Sequence, residues 1–151
     1  MNKLLILIVE DDTSVRNLIT TTLKAHDYRY LTAPNGQTAI LEASSHNPDI
    51  VLLDLGLPDI DGVEVIEKIR TWSNMPIIVI SARSEDTDKI DALDAGADDY
   101  LTKPFSVEEI ACKASGYAKA AYDVQRNLLP ICRFYQRTAP CGLCRRLCLF
   151  E

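Results

Sequence analysis

Cysteine is absent from residues 1–111 of this 151-residue chain. That excludes a disulfide framework or a thiolate metal site from most of its length. Long apolar runs are also missing, since none approaches the roughly 20 residues that a membrane helix needs. The stretch Leu4–Val9 is too short for a signal-peptide core and ends in three acids, Glu10, Asp11 and Asp12. Positive charge is scarce: 16 Lys and Arg stand against 22 Asp and Glu, a net −6, which gives no reason to expect nucleic-acid binding by the whole chain. What is present, 47% hydrophobic residues, is ordinary for a soluble domain and enough to bury a core without disulfides. The length predicts one domain with an appendage, and the cytoplasm is the default location.

The averages conceal a break near residue 111. Residues 1–111 carry 9 Lys and Arg and 20 Asp and Glu, a net −11. Residues 112–151 carry 7 and 2, a net +5, together with all five cysteines.

Before the break, short aliphatic runs alternate with helically spaced segments. The runs are Leu4–Val9, Tyr28–Ala33, Ile50–Leu53, Pro76–Ile80 and Asp99–Leu101. Between them lie stripes at helical spacing: Val15, Leu18, Ile19, Thr22 and Leu23; then Ala39, Ile40 and Ala43; then Val63, Val65, Ile66 and Ile69; then Ile90, Leu93 and Ala97. Strand–helix alternation at this spacing predicts βαβ units, hence an α/β fold with a parallel sheet and helices on both faces. Asn35-Gly36, Pro48-Asp49, Asp61-Gly62 and Ala95-Gly96 punctuate the elements. Ser106 and Glu109 have capping-box spacing and open a fifth helix, and Lys103-Pro104 just before them is a candidate cis peptide.

The ends of these runs carry the chemistry. Glu10 and Asp11 follow the first run, Asp54 the third and Ser81 the fourth, while Lys103 follows the last. In a doubly wound sheet, ligands bind beyond the carboxyl ends of the strands, at the topological switch point. Carboxylates gathered there repel by roughly 1 kcal/mol per pair in water and by several-fold more when partly buried. A hard divalent cation relieves that repulsion, and Mg²⁺ suits a site of few carboxylates, waters and phosphate oxygens. A carboxylate beside it can accept a phosphoryl group as an acyl phosphate. Lys103 then balances phosphoryl charge, and the Ser81 hydroxyl is placed to hydrogen-bond a phosphoryl oxygen.

Taken jointly, LLILIVEDD, DIVLLDLGLPDIDG, PIIVISAR and DALDAGADDYLTKPF resemble the receiver domain of bacterial two-component response regulators across residues 3–111. Within that family the likeness is to the class with a winged-helix output domain, and there to regulators of Kdp potassium-transport operons. The resemblance implies a five-stranded sheet in the order 2-1-3-4-5. It implies that Asp54 is the phosphoacceptor, with Mg²⁺ held by Glu10, Asp11, Asp54 and the Gly56 backbone carbonyl. Ser81 becomes the switch hydroxyl and Tyr100 the switch aromatic, with Lys103 completing the site. The implied partner is a sensor histidine kinase, and the domain is a signalling switch with at most slow self-dephosphorylation, not an enzyme. It also implies pairing of activated copies through the fourth helix, fifth strand and fifth helix, where Lys89, Asp98, Asp99 and Glu108 match charged positions. Lys113 and Lys119 stand where that face expects arginines, so a weakened homodimer is expected.

Taken singly, these residues have plainer readings. A lone Asp at a strand end is usually a cap, a lone Ser a loop hydroxyl, and a lone Tyr half-buried packing. Asp12 reads as a first-turn acid near a helix N-terminus. His26 and His46 carry no chemistry, Trp72 is a partly exposed packing residue, and Glu85, Asp86, Asp88 and Asp91 form a solvated helix face. A rival from another class is a dehalogenase-like phosphatase. It needs a second acid two residues after the nucleophilic aspartate, where this chain has Gly56.

The segment 112–151 departs from the family, which continues into a basic helix, a linker and a DNA-binding domain. No DNA binding is expected of this chain as it stands, and none of a membrane. Three readings stay open. A one-nucleotide shift across Ile110–Lys119 permits LLARLRVMRR, the kind of helix the family has there, so the tail is a candidate frame product. Cys132, Cys141, Cys144 and Cys148 contain one CxxC, half of a usual structural zinc site. Finally, the chain reads as a stand-alone receiver whose tail docks a protein partner.

Overall fold

Strands that are apolar at every position are covered on both faces, and the aliphatic runs here behave accordingly. The computed structural model describes residues 3–125. In chain order the elements are β1 (Leu5–Val9), α1 (Thr13–Ala25), β2 (Arg29–Ala33), α2 (Gly36–His46), β3 (Ile50–Leu53), α3 (Gly62–Arg70), β4 (Ile77–Ser81), α4 (Asp86–Ala95), β5 (Asp99–Thr102) and α5 (Val107–Gln125). All strand pairs are parallel, in the order β2-β1-β3-β4-β5. The strand order reverses at β1, so the crevice lies beyond the ends of β1 and β3.

Alternation along each strand divides the core into two layers. Leu7, Val9, Val51, Leu53, Ile77 and Val79 face one side, with Ala39 and Ala43 of α2, Val65, Ile66 and Ile69 of α3, and Ala92 of α4. Ile6, Ile8, Ile50, Leu52, Ile78 and Ile80 face the other, with Ile19 and Leu23 of α1 and Ile110, Ala114 and Tyr117 of α5. Ala114 and Tyr117 are buried, so α5 runs through the compositional break and packs on both sides of it.

Two predicted stripes need correction. Leu18 lies on the outer face of α1, 47% exposed, while Ile19, Thr22 and Leu23 turn inward. In α4 only Ala92 is buried, and Ile90 and Leu93 point outward at 55% and 45% exposure. An i, i+3 pair of apolar residues is compatible with either face of a helix. The small Ala92 is the α4 residue that enters the core, and the two larger apolar side chains lie on the outer face among the acids.

The helix ends follow capping chemistry. Asp12 caps α1, accepting from the Ser14 and Val15 amides, Asn35 caps α2 through Thr38, and Asp61 caps α3 through Val63. The Ser106–Glu109 capping box forms reciprocally, at 3.0 and 3.1 Å. The Lys103-Pro104 bond is cis. His26 stacks on Tyr28, and His46 pairs with Glu42 within α2.

At the amino edge of the sheet, Arg70 ends α3 and donates to four carbonyl or carboxylate oxygens. These are Gly96 O at 3.0 Å, Ser73 O at 3.3 Å, Met75 O at 2.6 Å and Asp98 Oδ2 at 2.9 Å. Asp98 Oδ2 also accepts the Ile77 amide. This buried cluster ties α3 to the starts of β4 and β5.

The turn into α3 is sterically closed. A Cβ on Gly62 would lie 2.6 Å from Leu55 Cα and 2.7 Å from the Asp54 carbonyl oxygen, both backbone atoms that cannot rotate away. Gly62→Ala is therefore expected to cost about 1–3 kcal/mol, the range for overpacking a filled site. Urea denaturation checks this, and an unchanged midpoint would show that the turn has slack.

Candidate functional site at the carboxyl edge

Backbone register delivers the site residues together. The Asp54 amide donates to the Val9 carbonyl at 2.9 Å, the Glu10 amide to Ala33 at 3.1 Å and the Lys103 amide to Ser81 at 2.8 Å. Each hydrogen bond extends the sheet one step beyond its last paired residues, so the side chains of Glu10, Asp54, Ser81 and Lys103 emerge along a single rim. Glu10 and Asp54 are buried, at 2% and 8% exposure.

Lys103 Nζ sits between them, 2.8 Å from Glu10 Oε2 and 3.1 Å from Asp54 Oδ2. The second oxygen of each carboxylate takes a backbone amide: Asp12 N–H to Glu10 Oε1 and Gly56 N–H to Asp54 Oδ1, both at 3.1 Å. Arg16 steadies the same loop through the Glu10 carbonyl, at 2.9 Å. Burial raises the Glu10 pKa above the ordinary carboxylate value, against the opposing hydrogen bonds from Lys103 and the Asp12 amide. For Lys103 burial pulls downward, but the hydrogen bonds to Glu10 and Asp54 outweigh it and hold the ammonium above its usual value.

Glu10, Asp11 and Asp54 each offer a carboxylate oxygen, and these atoms all lie within 4.8 Å of one another. Lys103 supplies one positive charge to three carboxylates. The donor set is hard and oxygen-only, with a local excess of two negative charges, and it therefore fits Mg²⁺. Asp11 is exposed, at the open side of the pocket.

Ser81 and Tyr100 meet around Arg83. The Arg83 amide donates to Ser81 Oγ at 3.2 Å, and the Tyr100 hydroxyl donates to the Arg83 carbonyl at 2.6 Å. Tyr100 is half-buried against the α2–α3–α4 layer. Burial raises its phenol pKa, with the Ser81 hydroxyl pulling the other way. The Arg83 guanidinium reaches Asp61 at 3.0 Å and Asp88 at 3.9 Å, so one residue joins the β4–α4 loop to the starts of α3 and α4.

Sequence reasoning gave no role to Arg83 or to Asp59. Asp59, in the loop between β3 and α3, accepts the Gly36 amide on Oδ1 at 2.8 Å and the Gln37 amide on Oδ2 at 2.9 Å. Those amide hydrogen bonds, the Gly36 one foremost, lower its pKa. A signal was available: α2 has no acid in its own first turn, so its N-terminal amides draw one from elsewhere.

A model of the response regulator receiver domain matches residues 6–115. The chain belongs to that family. The KDP operon transcriptional regulatory protein KdpE of Escherichia coli K12 is 51% identical over 108 residues, covering 72% of this chain and 48% of that protein. KdpE of Staphylococcus aureus NCTC 8325 is 47% identical over 108 residues (72% and 47%), and KdpE of Mycobacterium tuberculosis H37Rv is 43% identical over 109 (72% and 48%). The chain thus spans about half the length of these relatives. Among solved structures, the receiver domain of Francisella response regulator 1452 superposes with a TM-score of 0.75 at 29% identity, covering 79% of this chain and 99% of that one. A two-component response regulator from Clostridium difficile gives 0.75 at 29% identity, covering 78% and 97%. Receiver domains are phosphoacceptor signalling domains, phosphorylated by sensor histidine kinases, and the family uses Mg²⁺ at its acidic pocket.

One residue of the expected pairing face is misplaced by sequence reasoning. Asp98 is buried, with its carboxylate on Arg70 and the Ile77 amide, and so stands inside the fold and not on its surface. On the α4–β5–α5 face, Asp99 pairs with Lys113 within the chain, Lys89 lies 3.9 Å from Asp86, and Glu108 and Lys119 are exposed. Cys132, Cys141, Cys144 and Cys148, and the remainder of the tail readings, lie outside the described residues. Among the described residues no helix is long and apolar enough to cross a membrane.

A raised lysine pKa stabilises the fold below the unfolded value, and that contribution is lost as pH rises through the folded one. In Mg²⁺-free buffer, stability is expected to fall above about pH 10.5, the ordinary lysine value. Tyr100, raised from 10.0, adds to the same alkaline loss. Lys103→Met should flatten the slope, leaving the tyrosine share. Thermal melts across pH 9–12 read this directly, and an unaltered slope in the variant would refute it.

Proposed function

We propose that this receiver domain takes a phosphoryl group onto Asp54 from a phosphohistidine of a sensor histidine kinase. The observation that carries the reading is the split environment of the Asp54 carboxylate. Oδ1 is held by the Gly56 amide, and Oδ2 faces Lys103 at 3.1 Å. An oxygen of this oriented carboxylate attacks phosphorus, the P–N bond to the donor imidazole breaks, and the imidazole leaves and takes up a proton. Lys103 would neutralise charge on the phosphoryl oxygens, and the Ser81 hydroxyl would hydrogen-bond one of them.

Glu10, Asp11, Asp54 and the Gly56 carbonyl would hold Mg²⁺, which when bound offsets the charge of carboxylate and phosphoryl oxygens. Water attack on the acyl phosphate returns the carboxylate slowly. Because the Ser81 hydroxyl already accepts the Arg83 amide, drawing it toward a phosphoryl oxygen pulls on the loop that holds the Tyr100 hydroxyl. That gives phosphorylation a mechanical path to the α4–β5 face and biases a two-state surface. In keeping with the relatives named KdpE, the downstream role is transcription regulation through pairing of copies at that face.

Incubation with acetyl phosphate and Mg²⁺ is expected to add one phosphoryl mass to the intact protein, and Asp54→Asn to abolish the addition. Absence of the added mass in folded wild-type protein would sink the reading.

A further inference from the structure

The loop between β3 and α3 leaves Asp54, carries Gly56 and returns at Gly62, so its path decides where the Gly56 amide and carbonyl lie. Within the loop, Leu57 N–H and Gly62 N–H both reach the Leu55 carbonyl, at 3.0 Å, and its far end is held by Arg83 on Asp61, at 3.0 Å. Its outer arc is fastened to a different element. Asp59 grips the Gly36 and Gln37 amides of α2 with one oxygen each, at 2.8 and 2.9 Å. Beside it, Ile60 seats on Gly36 so closely that a Cβ there would lie 2.4 Å from Ile60 Cγ1.

From this geometry we infer that Asp59 is a positioning residue for the phosphoacceptor. By latching the loop to the N-terminus of α2, it holds the Gly56 amide on Asp54 Oδ1 and so turns the carboxylate with Oδ2 toward Lys103. By the same path the latch would set the Gly56 carbonyl, the metal ligand proposed above. The latch is built for an acid, since two parallel N–H groups at a helix start match two carboxylate oxygens and the helix dipole favours the charge. Asp59 touches neither Asp54 nor Lys103, so its effect is entirely through the loop. This inference rests on the phosphoacceptor reading of Asp54.

The test compares wild-type protein with Asp59→Ala, Asp59→Asn and Asn35→Ala. Asn35→Ala removes the other cap of the same helix, on the Thr38 amide, and leaves the loop latch in place. For each protein, Mg²⁺ affinity is measured by calorimetry and the rate of labelling by acetyl phosphate by intact mass. Thermal melts report the stability each variant loses. Asp59→Ala is expected to weaken Mg²⁺ binding about tenfold, the lower end for removing a residue that supports a metal ligand. Labelling should slow in parallel. Asp59→Asn keeps one acceptor oxygen and is expected to fall between Ala and wild type, and to carry the comparison if the Ala variant does not fold. Asn35→Ala should lower the melting temperature without moving either readout. Equal Mg²⁺ affinity and labelling in Asp59→Asn and wild type would overturn the inference, as would an equal loss in Asn35→Ala, which would trace the effect to helix stability. Failure of wild-type protein to label would strike the phosphoacceptor reading instead.

Discussion

One ammonium between two buried carboxylates governs this structure. Without Lys103, the carboxyl edge of the sheet would bring Glu10 and Asp54 together in a setting where like charges repel far more than in water. With it, both carboxylates share one ammonium at the rim, each gripped on its second oxygen by a backbone amide. The parallel sheet dictates this crowding, because the strand ends that flank the switch point emerge side by side. The charge balance is also deliberately incomplete: a third acid, Asp11, leaves the pocket with more negative charge than one lysine neutralises. The site is thereby primed for a cation and for a group rich in oxygen, and the resting network already supplies the contacts that would receive them.

The inner strands β1, β3 and β4 were legible in the sequence because burial on two faces demands unbroken aliphatic residues, while the partly exposed edge strands β2 and β5 were read from their place in the strand–helix alternation. Ile50–Leu53 was read to the residue, and the other strands to within one residue at either end. The site residues were legible for a related reason. Singly, a polar residue that ends an aliphatic run reads as a cap or loop group, and only the coincidence of four such ends points to chemistry. Helix faces were harder. Ile90 and Leu93 look like a stripe, yet α4 meets the fold through Ala92, and no periodicity distinguishes a small inward residue from two large outward ones. Asp98 was misjudged because its partner Arg70 lies 28 positions away and only the fold unites them.

Asp59 and Arg83 escaped notice on similar grounds. Each works by joining elements that are remote in sequence: Asp59 fastens a loop to α2, and Arg83 ties the β4–α4 loop to α3 and α4. Composition also misled in one respect. The change of character near residue 111 suggests a structural border, but α5 continues to Gln125 and buries Ala114 and Tyr117 against the α1 side of the sheet. A helix needs only its inward positions to be small or apolar, and the segment after the break provides them at i+4 and i+7 from Ile110.

The Arg70 cluster gives the two edges of the sheet opposite temperaments. At the amino edge, the Arg70 guanidinium donates to four oxygens, and its side chain is 10% exposed. At the carboxyl edge, the Lys103 ammonium is shared between Glu10 and Asp54, and Ser81 and Tyr100 each meet the Arg83 backbone through one hydrogen bond. Under the proposed switch, the start of β5 is the end held by the Arg70 cluster, and the loop ahead of α4 is tied to α3 and α4 only through the exposed pairs of Arg83.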